Sequence, residues 1–362
     1  MAIRIQIGGS PCTKWSIAQK NDRETEPKGE GWELFKNYLI AKEKFRPDLF
    51  LYENNKSAAQ PIKDQISHDL GVDLMHINSA LVSAQNRERF YAFNWSVEQP
   101  KDRGILLRDI LDPSAYGINY ELKTVGAGWR GRKEEDGKYH KRYESANMEK
   151  ANALTTCRTD SMIAEPVRIG DIGSTAQAHR VYSCDGKART LIANAGGQGG
   201  KAGLYMMPAE SGCPIYEVAN GQILINGVYY PINLADGHYV IRKPTVKECC
   251  RLQTLPDDYC RAVSDAQAFR GLGNGWTAEI IIHILNGALK DVPRDEEIIV
   301  LSMYDGIGTG RYCLDKMGFT NVRYFAYEID KYAQTVAMSN YPDIIQCGDA
   351  FAVRQNGWAV MH

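Results

Sequence analysis

Cys12 is placed where a nucleophile could work. It follows Pro11 on a tight loop, directly after residues 3 to 7, whose alternating pattern predicts a short strand. A thiolate at the end of a strand can form a covalent bond with a substrate and later leave it. A lone cysteine in such a position is more often a small buried thiol, so Cys12 needs partners elsewhere before it counts as catalytic.

A glycine turn late in the chain could hold a nucleotide-like cofactor. Residues 298 to 302 predict a strand that runs into this turn at 306 to 310, and a further strand at 322 to 327 ends at Glu328. Glycines let the backbone approach a ligand closely, and an acid in this place can accept from a ribose hydroxyl pair. Alone, the pattern fits NAD, a flavin, S-adenosylmethionine or a plain turn. The Gly-x-Gly-x-Gly spacing leans away from a dinucleotide.

Several other polar residues have ordinary explanations when each is taken alone. Glu53 fits a surface acid after a predicted strand, and Arg87 with Arg89 fits a solvated pair of charges. Asn274 fits a helix cap, and Asp349 fits a turn residue. Their chemistry becomes a hypothesis only when all of these segments are considered together.

The surrounding elements predict an α/β fold. Strands alternate with segments of helical spacing, which is typical of a doubly wound domain with a mainly parallel sheet. The alternation stops between about 112 and 240, where the strands look short and Gly, Ser, Asn and charges are frequent. We therefore expect a catalytic domain formed by 1–111 and 241–362, with a smaller β-rich domain at 112–240 inserted into it. The predicted helices are 32–46, 62–71, 245–253 and 277–290, and the predicted strands are 3–7, 48–52, 89–95, 298–302 and 322–327.

Composition and charge narrow the class of protein. The chain has 362 residues, a formal net charge of −1 and nine cysteines. It has no Cys-x-x-Cys pair, which predicts reduced thiols and no zinc or other metal site. It also lacks a membrane-length apolar run and the features of a signal peptide, so a cytoplasmic protein without a membrane partner is expected. The net charge neither favours nor excludes a nucleic acid, and the oligomeric state stays open.

Several short segments together resemble the conserved blocks of the DNA cytosine-C5 methyltransferases. Gly9-Ser10-Pro11-Cys12 is similar to the catalytic loop of that family, Glu53-Asn54-Asn55 to its Glu-Asn-Val, and Gln85 to Arg89 to its Gln-x-Arg-x-Arg. The resemblance covers nearly everything outside 112–240. One motif could arise by chance, whereas eight at compatible spacings predict membership of the family. The other similar segments are Arg242 to Asp257, Gly273-Asn274, Tyr304 to Gly310, Glu328 and Gly348-Asp349.

The resemblance implies a covalent mechanism on a cytosine. Cys12 would add to C6 of the ring and turn C5 into a carbon that can attack a methyl sulfonium. Glu53 would hydrogen-bond the N3 and N4 edge, Arg89 would hold O2 or a flanking phosphate, and Arg87 would support the loop. A base inside a duplex cannot be reached in this way, so it must be flipped out. The further residues implied to contact the substrate are Ser10, Pro11, Asn54, Gln85, Arg242 and Thr190.

The same resemblance implies S-adenosylmethionine as cofactor on a Rossmann-like methyltransferase fold. Glu328 would bind the ribose hydroxyls, Ile329 would pack on the adenine face, and Asp349 would accept from the adenine amino group. Asn274, at the start of its predicted helix, would approach the amino-acid end of the cofactor. The residues of the glycine turn implied to contact the cofactor are Tyr304, Asp305, Gly306, Gly308, Thr309 and Gly310.

The order of the motifs departs from the usual family member. There the cofactor loop comes first, whereas here Cys12 precedes the loop at 304–310, so we expect a circularly permuted chain with the usual termini joined near 291–297. Asn55 stands where valine is usual, and Trp276 stands where a small residue is more usual. The Asp-Gly-Ile-Gly-Thr-Gly loop is similar to that of the de novo methyltransferases and of phage enzymes. A phage or bacterial origin is expected, with or without a partner restriction enzyme.

Duplex DNA is the expected partner, because the insertion is large enough to act as a recognition domain that enters a groove. A cytosine-C5 methyltransferase of tRNA is the main alternative, since those enzymes share much of the fold. A catalytically silent DNA-binding regulator is the other alternative. Such a protein would be expected to lose the cysteine, the acid or the cofactor loop. The target DNA sequence cannot be predicted from these residues.

Overall fold

The computed structural model describes most of the chain outside the predicted insertion, together with separate strands inside it. Of the predicted site residues, Thr190 lies outside the described part, and so does the side chain of Arg242. The described residues are 2–16, 22–112, 128–133, 139–144, 168–171, 180–183, 204–208, 215–225, 227–232, 236–242 and 244–358.

The strands and helices of these ranges are numbered along the chain. The strands are β1 (Ile3–Gly8), β2 (Leu49–Asn55), β3 (Met75–Asn78), β4 (Glu88–Phe93), β5 (Gly128–Lys133), β6 (Tyr139–Glu144), β7 (Arg168–Asp171), β8 (Arg180–Ser183), β9 (Leu204–Pro208), β10 (Ile215–Ala219), β11 (Gln222–Ile225), β12 (Val228–Pro231), β13 (Gly237–Arg242), β14 (Ile298–Met303), β15 (Val322–Tyr327) and β16 (Ile345–Gly348). The α-helices are α1 (Glu30–Phe45), α2 (Gln60–Leu70), α3 (Val246–Leu252), α4 (Asp265–Asn274), α5 (Ala278–Leu289), α6 (Thr309–Lys316) and α7 (Lys331–Asn340).

Seven of the described strands form one sheet in the order β16-β15-β14-β1-β2-β4-β3. β1 runs parallel to β14 and β2, β14 runs parallel to β15, and β15 runs parallel to β16. β4 runs antiparallel to both β2 and β3. The predicted α/β fold with a mainly parallel sheet is confirmed. The parallel strands end at one edge of the sheet, where the residues that follow them can meet.

Helices cover both faces of this sheet. Side chains alternate between the faces of a strand, so Phe50 and Tyr52 pack with residues of α1 and α2, while Leu51 between them packs with residues of α3 to α7. β1 occupies a central position, and Ile5 and Ile7 are each 1% exposed. Two apolar layers therefore enclose the sheet and fix the edge at which the site residues emerge.

All described elements between 128 and 242 are strands. β5 and β6 form a hairpin, and β7 to β13 form a second sheet in the order β12-β11-β10-β13-β9-β8-β7. β13 runs to Arg242, past the expected domain boundary at 240. The division of the chain into domains stays a prediction.

The structure corrects several expectations about elements. The strand predicted at 89–95 is β4, whose direction is antiparallel, because a period-two pattern specifies a strand but not its direction. β3, α4, α7 and β16 were not predicted. Asn274 is the last residue of α4 and does not begin the next helix, whose N-cap position is occupied by Thr277. None of the helices in the described ranges combines the length and apolarity that a bilayer crossing requires.

Candidate active site

The loop that carries the cysteine begins where β1 ends. Pro11 precedes a 3-10 helix at Cys12–Lys14, and the backbone N–H groups of Trp15 and Ser16 donate to the Cys12 carbonyl, both at 3.0 Å. The Trp15 side chain is fully buried. Cys12 therefore lies on a short hydrogen-bonded turn that is anchored in the core.

Gly9 brings this loop against the end of β2. A Cβ atom on Gly9 would lie 2.6 Å from the Glu53 carbonyl oxygen and 2.9 Å from Glu53 Oε2. Side chains do not tolerate such distances to backbone atoms, so glycine is needed for this close approach. The approach sets the Pro-Cys loop directly beside the Glu53 carboxylate.

A buried hydrogen-bond network lies beneath the loop. The hydroxyls of Ser10 and Tyr52 share a hydrogen bond of 2.7 Å, and Asn54 Nδ2 donates to the Ser10 carbonyl and to the Tyr52 hydroxyl, both at 2.9 Å. All three side chains are buried. Ser10 and Asn54, which the sequence predicts as substrate contacts, thus hold the loop in this structure. Tyr52 was not predicted to belong to the site, because spacing alone does not distinguish it from the apolar residues of β2.

The Glu53 carboxylate is held between two donors. Arg89 Nε lies 3.0 Å from Glu53 Oε1, and these side chains are 6% and 11% exposed respectively. Trp276 Nε1 donates to Glu53 Oε2, also at 3.0 Å. A carboxylate oxygen has two lone pairs, so each keeps one for a further donor. Glu53 can therefore accept from the donor groups of a ring edge while Arg89 supplies a fixed positive charge.

The charges of this cluster act on the pKa of the Cys12 thiol. Burial raises the pKa of Cys12 above its ordinary value of 9.0, Arg89 and Arg87 lower it, and Glu53 raises it. The net shift is upward, so the resting group is a thiol at neutral pH. Because β4 is antiparallel to β2, Arg89 near its start pairs with Asn55 at the end of β2. The fold thus brings the four predicted catalytic side chains together.

Arg87 ties this cluster to the segment before α5. Its Nη2 donates to the carbonyl oxygens of Gly273, at 3.2 Å, and Gly275, at 2.9 Å. Burial, with Arg89 nearby, lowers the pKa of Arg87 to about 9, so the guanidinium stays charged at neutral pH. Gln85 is fully buried, which favours a supporting role over the predicted contact with substrate.

The glycine turn joins β14 to α6 and is fixed by Glu328. The Gly306 N–H donates to Glu328 Oε2 at 2.9 Å, and Glu328 Oε1 accepts from the N–H groups of Ile329 and Asp330 at 2.8 and 2.7 Å. Tyr304 starts the turn in the left-handed region, at φ 61°. The Glu328 carboxylate is thereby oriented and keeps lone pairs for hydroxyl donors.

Two polar atoms beside the turn are buried without a hydrogen-bond partner among the described residues. They are Asp305 Oδ2 and Thr309 Oγ1. Asp305 Oδ1 accepts from the hydroxyls of Ser302 and Tyr324, both at 2.6 Å. Desolvation raises the pKa of Asp305 to about 6, against the opposing effect of these two donors. Buried polar atoms are normally paired, so the turn fits a polar ligand that would satisfy them.

The remaining cofactor candidates lie at the ends of β15 and β16. Tyr327 and Gly348, the last residues of β15 and β16, pair with each other. The residues that follow them, Glu328 and Asp349, therefore leave the sheet side by side. Ile329 is 71% exposed, which leaves its side chain available to pack on a ligand. These positions fit a nucleoside whose ribose and base lie along this edge.

The segment at the end of α4 connects the two groups of candidates. A Cβ atom on Gly271 would lie 2.7 Å from Ile307 Cγ2, so α4 packs directly on the glycine turn. Asn274 ends this helix and is flanked by the contacts of Arg87 and Trp276 to the catalytic cluster. In addition, Gly8 pairs with Met303, so the Pro-Cys loop and the glycine turn leave adjacent strands.

A sequence model of the C-5 cytosine-specific DNA methylases matches residues 2–290. The chain belongs to this family. Members of the family transfer methyl groups from S-adenosylmethionine, so the predicted cofactor is confirmed. The oriented acid, the buried acceptor and the exposed apolar residue around the glycine turn of this methyltransferase fit that cofactor.

Similar proteins include phage and bacterial methyltransferases. The orphan methyltransferase M.SPRI of Bacillus phage SPR is 22% identical over 363 residues, which cover 76% of this chain and 80% of that protein. The type II methyltransferase M.HhaI of Haemophilus parahaemolyticus is 23% identical over 291 residues, which cover 77% of this chain and 74% of that protein. The crystal structure of the S. pombe Dnmt2 methyltransferase has a TM-score of 0.40 at 12% identity, covering 79% of this chain and 78% of that one. The predicted resemblance to phage and restriction-modification methyltransferases is confirmed by these relatives.

Proposed function

We propose that this methyltransferase modifies C5 of a flipped cytosine in duplex DNA through a covalent bond to Cys12. The observation that carries the proposal is the cluster of Cys12, Glu53 and Arg89 beside the segment that packs on the glycine turn. A nucleophile, an acceptor for a ring edge and a fixed cation are the groups that such a reaction needs.

The chemistry follows from the placement of these groups. Cys12 loses its proton to solvent, a step that the positive charges of Arg89 and Arg87 favour because they stabilise the thiolate. Sγ then bonds to C6, and the electron pair of the C5=C6 bond moves into the ring. Glu53 accepts a hydrogen bond from the N4 amino group, and one from N3 while N3 carries the proton that it takes up on addition, and this stabilises the ring after addition. S-adenosylmethionine, when bound, supplies the electrophilic methyl group. The C5 proton then passes to solvent, the Sγ–C6 bond breaks, and its electron pair returns to the sulfur of Cys12.

The cofactor is proposed to lie along the glycine turn. Glu328 would bind the ribose hydroxyls, Ile329 would contact adenine, Asp349 would accept from the adenine amino group, and Asn274 would face the amino-acid end. The orientation of the Glu328 carboxylate by three backbone N–H donors supports its role. The buried Asp305 Oδ2 offers an acceptor for a polar group of the cofactor.

Duplex DNA is favoured over RNA as the substrate. The matching family is described as one of DNA methylases, and the described elements that fall within the predicted insertion at 112–240 are all strands. An insertion of this size can supply phosphate and groove contacts to a duplex from which one base is flipped. A silent regulator is disfavoured because a nucleophile, an acid and an oriented cofactor carboxylate are all retained.

The arrangement of the chain supports a circular permutation. The family match ends at residue 290, before β14, the glycine turn and Glu328. In the sheet, however, β1 lies between β14 and β2. The cofactor half is therefore the immediate neighbour of the catalytic half in space, although it follows that half along the chain.

The substrate can be tested with two nucleic acids in parallel. Unmethylated plasmid DNA and unmodified tRNA are each incubated with the enzyme and methyl-labelled S-adenosylmethionine, and the products are sequenced for 5-methylcytosine. Label in DNA, at a recurring sequence, is the expected result. Label in tRNA alone would overturn the DNA assignment, and DNA binding without transfer to either substrate would identify a silent regulator.

A further inference from the structure

Trp276 contacts the proposed catalytic acid from the cofactor side of the site. Its indole Nε1 donates to Glu53 Oε2 at 3.0 Å, while Arg89 Nε lies 3.0 Å from Glu53 Oε1. A carboxylate with one donor on each oxygen cannot turn about its last bond without losing both hydrogen bonds. The indole and the guanidinium together therefore fix the plane of the carboxylate.

The backbone around Trp276 is held by hydrogen bonds of the two neighbouring residues. Gly275 accepts from Arg87 Nη2 at 2.9 Å and from Gln253 Nε2 at 3.3 Å. Thr277 Oγ1 donates to Gln253 Oε1 at 2.9 Å and shares a hydrogen bond of 2.9 Å with the Ser79 hydroxyl. The Trp276 donor is thus carried by a backbone segment that hydrogen bonds hold on both sides.

A purely space-filling role is the alternative for this residue. The indole is partly buried and packs against the larger apolar cluster, so its bulk contributes to stability. Bulk alone does not require the N–H group to point at a carboxylate, and phenylalanine would supply most of it. A substitution that removes the N–H group and keeps an aromatic ring therefore distinguishes the two roles.

We propose that Trp276 is a positioning residue that orients Glu53 toward the flipped cytosine. The inference rests on the proposed function, because Glu53 must meet the ring edge for its orientation to matter. Trp276 follows Asn274 by two residues, so it also links the segment proposed to face the cofactor with the catalytic acid. Its presence where a small residue is more usual is explained by the hydrogen bond to Glu53.

The contact can be tested without substrate by NMR of the indole groups. The chain has six tryptophans, so ¹⁵N labelling gives six indole N–H signals, and Trp276→Phe identifies the one that is lost. In Glu53→Ala the Trp276 signal should move upfield and exchange faster with solvent, because its acceptor has gone. The Trp95 signal should not move, since Trp95 Nε1 donates to the Ile284 carbonyl at 2.8 Å. A Trp276 signal unchanged by Glu53→Ala would overturn the proposal.

The consequence for catalysis is tested with Trp276→Phe and the matched control Trp95→Phe. Each replacement removes one indole N–H donor and keeps an aromatic ring. Trp276→Phe should lower kcat about ten- to a hundredfold, as expected for the loss of a hydrogen bond to a charged group, and should leave KM for plasmid DNA within about twofold. Trp95→Phe should keep both constants.

The outcomes distinguish the two proposals. If the unmodified enzyme transfers no methyl group to DNA, the proposed function fails, while the NMR result still reports on the contact. If the enzyme and Trp95→Phe are active and Trp276→Phe matches them, the positioning role fails and the proposed function stands. A rise in KM with unchanged kcat in Trp276→Phe would also overturn the positioning role, because it would assign the indole to binding.

Discussion

The Cys12 thiol is surrounded by charges that oppose each other. Burial and Glu53 raise its pKa, while Arg89 and Arg87 lower it, and the net effect keeps the resting group protonated. In the proposed mechanism the thiol therefore ionises when it bonds to the ring, and the positive charges of the two arginines lower the free energy of that step. A single residue of the cluster can accordingly change the chemistry without changing the fold.

Replacing Cys12 with alanine should abolish methyl transfer, because it removes the atom proposed to bond to C6. It should also abolish the covalent complex with DNA that contains 5-fluorocytosine, which traps the enzyme after methyl transfer. Cofactor affinity, measured by calorimetry, should be retained and serves as the control for folding. Methyl transfer at the original rate in Cys12→Ala would refute the assignment of the nucleophile.

Replacing Glu328 with alanine should weaken S-adenosylmethionine binding about ten- to a hundredfold, since a charged hydrogen-bond partner of the ribose is lost. Glu297→Ala is a matched control, because this half-exposed carboxylate precedes β14 and pairs with Arg323 at 3.7 Å, at the other end of the strands. Equal affinities in the two variants would leave the ribose assignment without support. Glu328→Gln keeps the size of the side chain and removes its charge, so it separates the effect of the charge on cofactor affinity from the effect of packing.

The unit formed by β14, the glycine turn and α6 contains the side chain of Asp305, whose ionisation is disfavoured by burial. Asp305 has a pKa of about 6 because it is desolvated, although Ser302 and Tyr324 donate to it. Its second oxygen is buried and lacks a partner within the described ranges. A polar ligand would satisfy this oxygen, whereas the desolvated carboxylate by itself lowers the stability of the element.

The stability of the cofactor-free enzyme should depend on Asp305 in a defined pH range. The folded-state pKa of about 6 lies above the ordinary 3.8, so the folded protein binds the proton more tightly than the unfolded chain. The resulting stability is complete below pH 3.8 and is lost as the pH rises through 6. Asp305→Asn should therefore raise the free energy of unfolding at about pH 7.5 by on the order of 2 kcal/mol and change it little at about pH 4. Urea unfolding at both pH values measures this, and an equal effect at the two would contradict it.

The whole molecule is assembled from segments that are far apart in the chain. β1 pairs with β14, so the first and the last thirds of the chain form one continuous sheet. The described polar segment between α5 and β14 is held by Arg294, whose Nη1 donates to the Leu289 carbonyl at 2.9 Å. Under the proposed permutation, this segment is where the usual termini would be joined.

Restoring the usual order should preserve the fold and the activity. The chain is opened between Lys290 and Asp291, and His362 is joined to Met1 by a Gly/Ser linker of about 12 residues. All strand pairs and site residues are kept, so cofactor affinity and methyl transfer should stay within about tenfold, with a loop-closure change of on the order of 1 kcal/mol in stability. Opening the chain instead inside α5, between Ile284 and Leu285, is the control and should prevent folding. A restored chain that folds no better than this control would contradict the permutation.

The sequence by itself predicted many of the local elements and the types of chemistry that are proposed for the site. The apolar run at 298–302, the glycine turn and the acid at 328 predict a strand, a turn and a cofactor carboxylate, because each pattern is local. The residues of the proposed catalytic loop were predicted for the same reason, because they form a short motif of adjacent residues. The predicted position of Asn274 at the start of a helix was wrong, because the boundary between the two helices depends on how α4 packs on Ile307.

Only the tertiary structure decided which of these residues act on each other. The antiparallel direction of β4 places Arg89 beside Glu53, and the position of β1 between β14 and β2 places the Pro-Cys loop beside the glycine turn. The Trp276 and Tyr52 hydrogen bonds join residues from different elements. Strand direction, strand order and such contacts depend on the free energy of packing distant segments together, which no local pattern in the chain encodes.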